Sequence, residues 1–444
     1  AFNVAGGVGS AAATGVGMVA ALVSTSLNTR AFVGDNSTEL SATGATANDS
    51  NLTPTVIAGL SAFDLAVTAL TVGRMTTVSV AAQSANNIPD PAETPEFIKT
   101  APPNADYLTK AASFFVDAGI ALLLKTTVAI NNLTDDVSGP VNGGNVVAGA
   151  GSASVDLTSV ATAAWIAGAS VGYAPGGNNH VTVQALNNTI VDTASGAAAL
   201  SKGAPGTDYN VALAGAVAVT TSNNLTTAKI WQSTISANQT TVQALAGGES
   251  TTLGLAVAVA AGSANSSVQA AASASVAQIT DGVQANIDSS TITSNASYSS
   301  GNIGIFADQQ TKIGIGAGSL YAGFVSVPDP SKSVGVGVSM TYAFIGDPSN
   351  GAAVSAVLSN SKVDQTNSLT IEALNSSRIL SGAAVAGGGI SANGFSGSVV
   401  VNDISPTILA EITSIPADGS RATVTGGITV AGDVIVNASG GSLA

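Results

Sequence analysis

The chain has 444 residues, a net charge of −14, 45% hydrophobic and 9% charged residues, and no cysteine. Its twelve basic residues are spread singly, which argues against a nucleic-acid surface, and the missing cysteines exclude disulfides and thiolate zinc. The mean hydropathy of +0.41 does not imply a spanning helix: no apolar run approaches ~20 residues, and the richest, Ala118 to Leu124, stops at Lys125.

The apolar mass is Ala and Val rather than Leu, Ile, Phe and Met, with 50 glycines and many Ser, Thr and Asn. Small and β-branched side chains suit a thin core between close strands, and Gly and Asn suit frequent turns. Residues 1–82 open with Met18–Val23, Thr29–Val33 and Thr77–Ala82, each read as a strand. Residues 83–127 break the pattern. Prolines at 89, 91, 95, 102 and 103 stand among Asp90, Glu93, Glu96 and Asp106, and proline cannot donate to a strand ladder. This predicts a Pro-rich acidic loop, followed by a short helix over Tyr107–Leu124, inserted between solenoid coils.

Residues 128–444 are repetitive. One strand ends in alanine: Val181-Thr-Val183-Gln-Ala185, with counterparts centred on Val242, Ile305, Ile371 and Val436, spaced 59, 63, 66 and 65 residues apart. Alternation places these central residues inward, in one column. An Ala-x-Ile-x-x-Ser-x-Ile strand recurs from Ala228, Ala285 and Ala356. A third, Gly/Val-rich strand precedes it, as at Ala214–Val219, Gly254–Val259, Gly335–Val338 and Gly397–Val401. Such strands bury a face only by stacking, so the fold expected is an all-β solenoid. Coils of usual size give about three per ~64-residue superrepeat, about twenty in all, and a rod on the order of 100 Å.

These strands resemble the β-helical repeat regions of large bacterial surface exoproteins, the filamentous-haemagglutinin and leukotoxin-type adhesins. The likeness covers residues 128–444 well and 1–82 loosely. It implies a right-handed parallel β-helix on the bacterial surface or outside the cell, used for adhesion or scaffolding, with no catalytic residues to carry over.

The residues themselves nominate no catalytic, cofactor or metal site. The lone His180 lies in a turn before a strand, and one histidine does not make a triad without converging Ser and Asp. Glycoside hydrolysis needs two carboxylates about 5–10 Å apart. Asp135-Asp136, Asp288 with Asp364, and Glu372 with Glu411 are the pairs considered. Calcium-loop and phosphate-loop signatures are absent. Three functions therefore stand open: an extracellular scaffold, an adhesin binding a cell-surface or glycan partner through 83–127, and a carbohydrate-active β-helix. For the scaffold the expected partner is a second copy, end to end, through coil edges at Ala1 and Ala444.

Overall fold

The computed structural model describes residues 2–11, 13–34, 57–86, 144–174, 178–294, 301–328, 332–346, 354–389, 393–413 and 427–441. Among these residues there is no helix. The strands, in chain order, fall into layers that visit three sheets in the same sequence. The first layer holds β1 (Phe2–Ala11), β2 (Thr14–Gly34) and β3 (Ile57–Ala62); the second holds β4 (Asp64–Asn86), β5 (Val146–Ala167) and β6 (Ala169–Tyr173). The third holds β7 (His180–Gly203), β8 (Tyr209–Ser222), β9 (Leu225–Trp231) and β10 (Thr234–Ser236). The fourth holds β11 (Gln239–Ala246), β12 (Glu249–Ser263), β13 (Ser266–Ile279), β14 (Gly282–Asp288) and β15 (Thr291–Thr293). The fifth holds β16 (Asn302–Gln309), β17 (Lys312–Ser326), β18 (Ser333–Ile345), β19 (Val354–Ser359) and β20 (Lys362–Thr366). The sixth holds β21 (Ser368–Asn375), β22 (Arg378–Gly389), β23 (Asn393–Ile404), β24 (Ile408–Thr413) and β25 (Ile428–Val430), and β26 (Val434–Gly440) follows.

All the pairings are parallel. One sheet joins β1, β4, β7, β11, β12, β16, β17, β21, β22 and β26; a second joins β2, β5, β8, β9, β13, β14, β18, β19, β23 and β24. The third runs β25-β20-β15-β10-β6-β3. The long strands bridge two shorter ones: β7 pairs through 180–187 with β11 and through 190–203 with β12. Likewise β5 pairs with β8 and then with β9.

The register corrects the coil size. Val242 pairs with Val183 on one side and Ile305 on the other; Ile305 pairs with Ile371, and Ile371 with Val436. Each step between neighbours is thus one whole superrepeat, not a third of one. The physical reason is that the Gly/Val strand adds no coil of its own. It is an outward excursion of the same layer, running out along the second half of the first sheet and back along the first half of the second. The described strands therefore stack six deep, about 29 Å at 4.8 Å per strand, instead of the ~100 Å expected.

Two interiors result. In one, the alanine-ending strands supply Val183, Val242, Ile305 and Ile371, the second sheet supplies Ile166, Ile230, Ile287 and Leu358, and the third supplies Val171, Ile235, Ile292 and Val363. In the other, the excursion, Ala197, Ala199, Ala256, Ala258 and Ala260 face Ala148, Ala212, Ala214 and Ala216. Three sheets meeting at one core need branched side chains to fill it, whereas the two facing sheets of the excursion are filled mostly by alanine, with Tyr321 and Val325 among them and a separate cluster of Ile279, Ile313, Ile315 and Ile345 on the same strands. The expected inward column is present, with Val242, Ile305 and Ile371 at 0% exposure, but Val436 is 45% exposed.

The octet beginning at Ala228 is not one strand. Ala228 and Ile230 lie on β9, Ser233 in a corner, and Ile235 on β10 in another sheet. The corner repeats with a positive φ in the second to fifth layers: Gly168 (60°), Gln232 (45°), Ser289 (51°) and Asn360 (47°). The backbone N–H of each donates to the next layer, Gln232 to the Asp288 carbonyl and Ser289 to the Ser359 carbonyl. Of the insertion over 83–127, residues 83–86 belong to β4, and 87–127 with the expected helix lie outside the described residues.

Candidate functional site

Two features are not accounted for by ordinary core packing: the open outer edges of the stack and a polar ladder inside the excursion. On one side β22, β23, β24, β25 and β26 each pair with a described strand through one edge only. On the other side the same holds for β1, β2, β3 and residues 64–71 of β4. Inward residues at the first of these edges lose their cover. Val436 is 45% exposed beneath the fully buried Ile371, and Val400 of β23 is 45% exposed although its column neighbour Thr341 is fully buried. Among the described residues the strands at both edges have N–H and C=O groups without a strand partner; at the first edge the apolar core is also uncovered, whereas at the other Val67 and Ala69 stay buried.

The ladder begins at Asp156 on β5, which is fully buried. Thr77 on β4 donates to its Oδ1 (2.5 Å) and Thr193 on β7 donates to its Oδ2 (2.6 Å). Because the Thr193 proton is used there, Thr193 accepts from Thr220 (2.7 Å), and Thr220 in turn accepts from Thr252 (2.8 Å). The hydroxyls form an oriented chain ending on the carboxylate. Beside it, Ser154 donates to the Ala194 carbonyl (2.6 Å) and Ser195 to the Ser152 carbonyl (2.9 Å), tying the two facing sheets together. Burial pushes the Asp156 carboxyl up, against the lowering effect of its two threonine donors. Burial also raises Asp281, whose Oδ1 accepts from Ser222 Oγ and the Asn224 backbone (both 2.9 Å) at the bend between β13 and β14. Burial raises Asp192 too, opposed by its ion pair with Arg74 at 2.8 Å.

The residues weighed from sequence are scattered. His180 is exposed, with Nδ1 3.8 Å from Asp64 Oδ1. Asp288 lies on β14 and accepts from Ser359 Oγ (2.8 Å), whereas Asp364 lies on β20 beside Lys362 (3.2 Å), so the two are on different sheets. Glu372 on β21 accepts from Asn437 (2.9 Å), while Glu411 is on β24 of another sheet. Asp135 and Asp136 lie outside the described residues. Among the described residues no group of three metal-ligating side chains forms. The buried Asp156 and Asp281 were missed by the sequence reading. A legible signal for Asp156 existed in Ser152-Ala-Ser154-Val-Asp156, a polar residue at each position where β2 has Val19, Ala21 and Val23 and β8 has Ala216, Ala218 and Thr220.

No protein-family model, no curated protein and no solved structure matches the chain.

Proposed function

We propose that the chain is a structural scaffold of a bacterial surface, a right-handed parallel β-helix that lengthens by adding layers at its open edges, and that it is not a catalyst. Parallel strands in one sheet joined by crossovers are almost always connected right-handedly, which supports the hand. The supporting observation for growth is the exposure of Val436 in a column otherwise buried to 4% or less from Val67 to Ile371. A second copy set on the first would lay residues 64–71 of β4 on β26, β1 on β22, β2 on β23 and β24, and β3 on β25. A head-to-tail contact of this kind does not close, so it makes a filament. The likeness of the repeated strands to filamentous-haemagglutinin-type exoproteins supports an extracellular place for it.

The test is negative-stain microscopy and sedimentation of the purified chain beside Val436→Glu. Val436 is already half exposed in the single chain, so the substitution leaves the fold intact and puts a charge where the next layer must sit. Filaments from the parent chain and none from the variant are expected. Filaments from both, or from neither at high concentration, refute growth through this edge.

A further inference from the structure

The excursion is apolar on its outside as well as within. On the first half of the second sheet one outward column reads Val16, Gly149, Leu213, Ala270, Val336 and Phe395 across six strands. The next three outward columns, starting at Met18, Ala20 and Leu22, also contain only apolar residues and glycine, Tyr342 contributing the one hydroxyl. None of these 24 positions is charged, in a chain of net charge −14. The face is open: Met18 is 85% exposed, Val16 69%, Val338 46% and Val217 42%. An apolar sheet face of six strands at 4.8 Å by eight steps of 3.3 Å covers roughly 750 Å². That exceeds the few hundred Å² a soluble monomer usually leaves bare.

We infer that this face is covered by the same face of a second copy, in a two-fold lateral contact. Three observations favour that occupant. Two such faces bury roughly 1,500 Å² together, the size of a stable protein interface. The face is also shaped to pack on itself. A hollow of about 430 Å³ runs between Val16 and Met18 on one side and Val336 and Val338 on the other, floored by Gly149, Gly151, Gly215 and Ala272. A two-fold axis through that floor lays the two faces across each other in full and brings Ala272 of each copy near the axis, as an isologous contact requires. Finally, a lipid surface would be recognised by basic side chains or an interfacial aromatic belt; no Lys or Arg stands in the columns on either side, and Tyr342, Phe344 and Phe395 are too few and scattered to form a belt. The contact is lateral and independent of growth at the edges; with both, filaments pair into ribbons.

The chain has no cysteine, so single cysteines report the contact cleanly. In the Val436→Glu background, which removes end growth, Ala272→Cys on this face is oxidised beside Thr234→Cys, exposed on the third sheet. Predominant disulfide dimer from the first and little from the second is expected. Val217→Lys and Val338→Lys, both at exposed positions, should each weaken the sedimenting dimer roughly tenfold or more with the β-type circular dichroism unchanged. Equal cross-linking at 272 and 234, or a dimer indifferent to both lysines, overturns the inference. So does a chain that remains monomeric alone and pellets only with phosphatidylcholine vesicles, which would identify the face as lipid-binding. If a lysine variant misfolds, the cysteine comparison still decides.

Discussion

Asp156 sets the residue-scale chemistry. Its carboxyl is raised by burial, so the folded protein holds its proton more tightly than the unfolded chain does. Between the unfolded value near 4 and the raised folded value, the folded state binds more protons, and stability falls as pH rises through that window. Asp281 and Asp192 act in the same direction. The chain should therefore be more resistant to urea at pH 4 than at pH 7, the reverse of ordinary acid denaturation. Asp156→Asn should flatten that slope, because rotatable hydroxyls of Thr77 and Thr193 can accept from an amide as readily as they donate to a carboxylate. An unchanged slope in the variant would show that Asp156 does not contribute. Asp281→Asn is a poorer replacement, since its new amide would face the Asn224 side-chain amide, 3.3 Å from Asp281 Oδ2, whose own oxygen is engaged by the Val160 N–H.

The element scale is governed by the repeating corner. Ser233 and Ser290 each receive a backbone N–H from an adjacent layer and donate to a carbonyl of their own, Ser290 Oγ to the Asp288 carbonyl at 2.8 Å. Ser290→Ala should cost about 1–2 kcal/mol by chemical denaturation, for it strands a buried Ser233 N–H. Ser289→Gly next to it should stabilise by up to about 1 kcal/mol, because a left-handed residue without Cβ carries no steric penalty. The sequence displayed this corner as the invariant Ser of the octet. Its spacing also marked the bend: Ile230 and Ile235 are five residues apart and both buried, which a straight strand alternating every two residues does not allow. The inward column was legible because within one strand alternation alone fixes which face is buried. Ile305→Ala should cost about 2–5 kcal/mol, and Ile371→Asp should be severe, while Glu372→Asp on the outer face changes little. Equal tolerance at 371 and 372 would refute the register.

At the scale of the whole molecule, the period of about 64 residues was readable and its division was not. Three strand types in one period are compatible with three small coils or with one wide layer, and only pairing distinguishes them. The discriminating residues are the small ones. Ala256 and Ala258 pack with Ala216 and Ala271 in a two-layered excursion whose core is mostly alanine, with Val146, Tyr321 and Val325 among it, while branched residues dominate where three sheets meet. The apolar outside of that excursion also accounts for the positive mean hydropathy without any spanning helix among the described residues. The central claim, growth by whole layers at the open edges, sets a length that microscopy can read. Six strand layers at 4.8 Å give each copy an axial rise of about 29 Å. Helical reconstruction of filaments of the intact chain should return that rise, with a 4.8 Å meridional repeat running unbroken across the joints. A rise near 100 Å, or a break in the 4.8 Å repeat between copies, would contradict it.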